Sequence, residues 1–495
     1  MTSSASLYEQ YCEHMRRIAD VRYAAAVLQW DQETYMPAKG AAGRARQLAT
    51  LSETAHEMAT APSFEQLVNE LSQRSDLSQV QQKNVSLTLE DLTRQKKLSG
   101  AFVRKLSEAV SKAFNSWVAA RKQNNFSVFE SDLEQLVALK RESAELYGYE
   151  GHPYNALTYE FERSVTVEKL DKVFASVIPS LQEVIAKQGK EPEVDNDFLR
   201  EFYPKNIQWE WGMWLVRELG FDLEAGRQDV SVHPFTTNFS AKDVRITTRI
   251  DENDFANMTW SCIHETGHAL YEQGLPDSEY GLPSGEFSSL SIHESQSRLW
   301  ENCVGRNLAF WKNYLPELQS YFPEQLQHIT IQEFYKGINK VQPSFIRTEA
   351  DEVTYHFHVY IRYQIEKDLI GGALAVKDIP ARWNELYKQH LGVVVPDDIH
   401  GCLQDVHWSH GSFGYFPTYS LGSFYAAQFW AQAQKDIPAL QKEELNETAL
   451  AQLLGWLRKH IHSHGRLKDS ELLCSSVTGE SLNVSYFLDY VKGKF

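Results

Sequence analysis

The sequence is poor in the features that mark several protein classes. Its 495 residues include only five cysteines (Cys12, Cys262, Cys303, Cys402, Cys474), odd in number and without the spacing of a zinc knuckle or redox pair. Free thiols in a reducing compartment are the expectation. No apolar run reaches the roughly 18 residues of a membrane span. The opening stretch MTSSASLYEQYCEHMRRIAD lacks a basic segment followed by an apolar one, which argues against a secretory signal and for a cytoplasmic protein. Excess positive charge is missing as well: the formal net charge is −17. Nucleic acid and anionic membrane, which both need basic patches, are therefore not expected as partners. There is no Gly/Ser-rich or Pro-rich linker, internal repeat or low-complexity segment. One unit spanning residues 1–495 is expected rather than beads on a string.

What is present is a large stock of core material, 42% apolar and 12% aromatic residues, arranged mostly at helical spacing. Stretches such as AFVRKLSEAVSKAFNSWVAARKQ and VEKLDKVFASVIPSLQEVIAKQ place apolar residues three and four apart with charges between them. The fold class is mainly α. Asp229 to Ile250 breaks the pattern. It is rich in Val, Ile, Thr and Phe, and reads as two or three short strands with turns at HP and SAKD.

The next segment, FANMTWSCIHETGHALYEQ, reads as a helix with Asp254 as N-cap and Gly274 as stop. His264 and His268 are one turn apart on one face, so both imidazoles can reach one cation. Glu265 lies beside the pair, placed to take a proton from metal-activated water rather than to bind the metal. The motif arises by chance in roughly a few chains per hundred of this length, so a third ligand has to support it. Tyr271 and Gly274 occupy the positions that the metzincin pattern assigns to Gly and His, which excludes that class. A carboxylate from a following helix is the other common solution, and SSLSIHESQSRLWENCVG offers Glu294 and Glu301, seven apart, with Arg298 one turn beyond Glu294.

Several stretches then line up in order: HPF (233–235), DVRIT (243–247), HETGH (264–268), HESQ (293–296), IRTEAD (346–351) and GCLQDVHW (401–408). Together they resemble the M32 metallocarboxypeptidases, the carboxypeptidase Taq family, and the likeness extends to both ends of the chain. The resemblance implies a gluzincin-like helical fold, similar to angiotensin-converting enzyme and neurolysin. Two helical lobes would flank a deep groove, with a small sheet beside the metal helix. It implies His264, His268 and Glu294 as ligands of one divalent metal ion, zinc or alternatively cobalt, and Glu265 as general base. It further implies removal of single residues from peptide C-termini with broad preference, by a homodimer.

The remaining chemistry needs an oxyanion donor and a carboxylate clamp. His407, Tyr415 and Tyr419 lie in the Gly-containing stretch DVHWSHGSFGYFPTY, where backbone can approach a substrate. Arg347 and Arg245 are the clamp candidates, because a planar guanidinium can hold both carboxylate oxygens. Arg347 is preferred because IRTEAD looks helical and rigid; its alternative is an ion pair with Glu349, Asp351 or Glu352. His233 is a candidate for bonding substrate backbone. Asp351 and Asp405 are candidates for holding the far nitrogens of the metal histidines. The alternating His460, His462 and His464, and the pair His356 and His358, do not share a helical face and are expected to be structural. Two other readings remain: an oligopeptidase or dipeptidyl carboxypeptidase on the same scaffold, and a non-catalytic helical scaffold.

Overall fold

A computed structural model describes residues 3–495. The chain is mostly α-helical, with one three-stranded sheet among the described residues. The strands are β1 (Gly226–Val230), β2 (Thr236–Ser240) and β3 (Asp243–Thr248), in spatial order β1-β3-β2. β3 runs parallel to β1 and antiparallel to β2, with a register shift between Asn238 and Ser240. The strand-like stretch is thus a sheet, beginning three residues earlier than its sequence pattern indicates.

Two apolar cores support the chain. The larger runs from Phe102 to Val491 and includes the fully buried Trp211, Phe255, Ile263, Leu270 and Trp300. Each such side chain contributes roughly 1.5–3 kcal/mol of burial. The smaller core is built by the helices Ser4–Thr34, Pro62–Ser72 and Gln79–Gln95. Leu282, from the loop joining the two helices of the candidate site, enters this smaller core. All five cysteines are buried and free. Among the described residues no helix is long and apolar enough to cross a membrane.

The histidine helix spans Phe255–Glu272, and Asp254 caps it by accepting from the Asn257 N–H. It packs against β2, β3 and the helix Leu290–Arg298, which carries Glu294. Ser289 caps this glutamate helix through the Ile292 N–H, and a π-helical stretch, Leu299–Val304, continues it. The packing is close. A Cβ on Gly267 would stand 2.7 Å from Ser297 Cα, so only glycine lets the two helices meet there. The helix Pro417–Asp436 lies on the glutamate helix in the same way: a Cβ on Gly422 would stand 2.5 Å from Glu294 Cγ.

Candidate metal centre

The two imidazoles of the histidine helix and the carboxylate of Glu294 converge. One donor atom from each lies within 4.8 Å of the others. Glu294 Oε2 is 3.5 Å from His268 Nε2 and 3.9 Å from His264 Nε2. Two ligands at 2.0–2.1 Å in tetrahedral geometry stand roughly 3.4 Å apart, so the donor set has the size of a metal site. The other ends of the groups are already engaged. Arg298 Nε donates to Glu294 Oε1 at 2.6 Å, leaving Oε2 for the centre. His264 Nδ1 is 2.8 Å from Glu301 Oε2, and His268 Nδ1 is 2.6 Å from His293 Nδ1. The two Nε2 atoms have no other partner and Glu294 Oε2 accepts only a 3.3 Å bond from Ser297 Oγ besides, so all three keep a lone pair for a bound cation.

Electrostatics favour the same arrangement at Glu294 and His268, while at His264 burial is outweighed by Glu294 and Glu301, which raise the imidazole above its ordinary value, so an ion there takes the place of a proton. Burial alone would raise the Glu294 carboxyl, but Arg298 and His264 outweigh it and hold the group well below the usual range. Burial pushes the His268 imidazole down to about 3, with His293 acting in the same direction. An ionised carboxylate and a neutral imidazole are the forms a metal takes. Glu265 is buried beside them, and Thr236 of β2 donates to its Oε2 at 2.6 Å. Burial raises its carboxyl above the ordinary value of 4.5, which makes it a better base than an exposed glutamate.

A second cluster adjoins this centre through aromatic rings. Arg298 lies over the Tyr355 ring at 4.4 Å, and Arg347 Nη1 donates to the Tyr355 hydroxyl at 3.1 Å. Arg347 is buried and its guanidinium stacks on Tyr419 at 4.8 Å. Its Nη2 and Nε both donate to Asp405 Oδ1, at 2.8 and 3.1 Å, while Arg362 Nε donates to Asp405 Oδ2 at 2.6 Å. His407 Nε2 is 3.1 Å from the Tyr419 hydroxyl. Burial pushes His407 down to about 3, so it is neutral at physiological pH. The Tyr415 ring packs on Tyr419 and Phe161, and burial raises its hydroxyl to about 12.

A family model for the carboxypeptidase Taq (M32) metallopeptidases matches residues 10–495. The chain belongs to this family. Carboxypeptidase 1 of Bacillus subtilis is 38% identical over 492 residues, covering 98% of this chain and 97% of that protein. Thermostable carboxypeptidase 1 of Thermus thermophilus is 36% identical, covering 100% of this chain and 99% of that protein. Among solved structures, the M32 carboxypeptidase of Deinococcus radiodurans R1 is 37% identical with a TM-score of 0.95, covering 99% of this chain and 98% of that one.

Within this M32 chain some sequence expectations change. IRTEAD is not a helix. It forms a single 3-10 turn, Arg347–Glu349, because Gln404 takes the Arg347 N–H and Asp351 caps the following residues through the Val353 and Thr354 N–H groups. Arg347 therefore pairs with Asp405 rather than with Glu349, Asp351 or Glu352. Asp351 and Asp405 do not hold the far nitrogens of His264 and His268; Glu301 and His293 do. Arg245 pairs with Asp243 through both Nε and Nη2 at 2.9 Å and stacks over Trp30 and Phe239. His233 is exposed in the turn between β1 and β2. His356, His358 and His462 are buried, bonded to Ser420, Tyr387 and Gln296. The sequence reading missed His293, Glu272, Tyr355 and Glu366. His293 carried a usable signal, being the neighbour of Glu294 in HESQ.

Proposed function

We propose that this M32 protein is a metal-dependent carboxypeptidase that removes single residues from the C-termini of peptides. The observation that carries the reading is the convergence of His264 Nε2, His268 Nε2 and Glu294 Oε2, with the buried Glu265 beside them. These three residues would hold one divalent ion, zinc or alternatively cobalt; the nitrogen and oxygen donors suit both. Such an ion, when bound, polarises the scissile carbonyl and acidifies water.

The chain's own groups do the rest. Arg298 keeps Glu294 ionised and turns one oxygen inward. Thr236 fixes Glu265 so that its carboxylate takes the proton of the attacking water and returns it to the departing amine. The hydroxyls of Tyr415 and Tyr419 and the ring of His407 supply donors for the developing oxyanion. Arg347 has its Nε edge held by Asp405, which leaves the Nη1 edge toward Tyr355 for the substrate carboxylate. Arg245, paired with Asp243, is the reserve clamp for the substrate carboxylate, and His233, in the turn after β1, is a reserve contact for substrate backbone.

The chain would act as one catalytic unit whose two helical lobes flank a substrate groove. Five buried free thiols suit the cytoplasm. The family likeness supports a homodimer. The test of exopeptidase action is a peptide and its C-terminally amidated twin. The free acid should lose terminal residues while the amide resists. Equal cleavage of both would favour an oligopeptidase on the same scaffold.

A further inference from the structure

The two metal histidines are supported differently. His264 Nδ1 meets a carboxylate directly, that of Glu301. His268 Nδ1 meets another imidazole, His293 Nδ1 at 2.6 Å, with ring centroids 4.5 Å apart. The other nitrogen of His293, Nε2, is 2.8 Å from Glu272 Oε1. Glu272 is 3% exposed, and its second oxygen accepts from Asn238 Nδ2 at 2.7 Å. Four side chains from three elements thus form one line: β2, the histidine helix, the glutamate helix, and the histidine helix again.

The proton positions along that line follow from chemistry. An ionised carboxylate can only accept, so the His293 nitrogen beside Glu272 carries the hydrogen. A neutral imidazole has one donor and one acceptor, so His293 Nδ1 is bare and accepts. The His268 nitrogen facing it must then donate. That leaves His268 Nε2 bare, and this is the atom 3.5 Å from Glu294 Oε2. The same strand holds the C-terminal half of the histidine helix at two points. Thr236 and Asn238 are alternate residues of β2 and so share a face. They hold Glu265 and Glu272, two turns apart on the helix.

We propose that His293 and Glu272 are positioning residues that fix the tautomer and ring angle of His268, with Asn238 as the anchor of the line. This inference rests on the metal-centre reading above, and its test separates the two. The expected contribution is the roughly 10–100-fold in metal affinity seen when a partner of a ligating histidine is lost.

The experiment measures zinc affinity of the full-length protein by chelator competition, with the visible spectrum of the cobalt form as a second readout. His293→Leu removes the acceptor. His293→Gln keeps both halves of the link, because an amide oxygen can accept from His268 while its NH2 donates to Glu272. The leucine variant should bind zinc at least about tenfold more weakly and show an altered cobalt spectrum, whereas glutamine should restore affinity to within a few fold. Wild-type affinity in the leucine variant, or glutamine as weak as leucine, overturns the proposal. If the wild type binds no zinc, it is the metal-centre reading that fails. If the leucine variant does not fold, ¹⁵N-histidine NMR of the wild-type zinc protein decides. A protonated Nε2 and a bare Nδ1 on His293 support the line; a proton on Nδ1 contradicts it.

Discussion

Glu301 and His264 meet at 2.8 Å through the nitrogen of the imidazole that faces away from Glu294. The two carboxylates that the sequence leaves as rivals for the third ligand therefore take opposite ends of one ring. Arg298 reaches both, Glu294 by Nε at 2.6 Å and Glu301 by Nη1 at 3.1 Å. Glu294→Ala should abolish stoichiometric metal retention, since two donors remain of three. Glu301→Ala should retain the ion with roughly 10–100-fold lower affinity. Equilibrium dialysis against a chelator measures both, and the reverse order would make Glu301 the ligand.

Glu265→Gln separates base from ligand. The amide can still accept from Thr236, but it cannot take a proton. Metal content should stay at one equivalent while kcat drops by roughly 10²–10⁴-fold. Loss of the ion from this variant would mean that Glu265 binds it.

Packing at Gly422 bears on Glu294 through sterics alone. A methyl there would sit 2.5 Å from Glu294 Cγ and 2.6 Å from its Cβ. Gly422→Ala should cost about 1–3 kcal/mol of stability by overpacking and weaken metal binding by displacing Glu294. Unchanged melting and unchanged zinc affinity together would show that this contact does not hold the carboxylate.

The loop carrying His407 and Tyr415 is pinned by Glu366. Its carboxylate accepts from Trp408 Nε1 at 2.8 Å, the Gly414 N–H at 3.0 Å and the Tyr154 hydroxyl at 2.6 Å. Burial pushes this carboxyl from 4.5 up to about 7. Between those values the folded state keeps a proton that the unfolded chain has lost, so stability falls as pH rises from 4.5 to about 7 and is level above. The full swing is about 3 kcal/mol. Urea unfolding at pH 5 and pH 8 should show the wild type losing more stability than Glu366→Gln. Parallel losses would place the Glu366 carboxyl in the ordinary range.

The pairing of His264 with His268 was legible in the sequence because its geometry is local, whereas only the likeness of HESQ to the M32 family set Glu294 apart from Glu301. His264 and His268 are one turn apart, and Glu294 stands in a short motif on the next helix. The sheet was legible from its β-branched residues. What escaped depends on contacts distant in the chain. His293 meets Glu272 through the fold of the loop between their helices. Glu366 meets Gly414, and Arg347 meets Asp405, only after the helices pack. IRTEAD has helical composition, yet Gln404 and the Asp351 cap hold it in a single turn.

The most direct test follows peptide products by mass spectrometry with three forms of the protein: as purified, stripped by chelator, and reloaded with one equivalent of zinc. Single residues should leave the C-terminus in the first and third forms and not in the second. Cleavage that survives stripping, or fragments cut at internal bonds, would contradict the account.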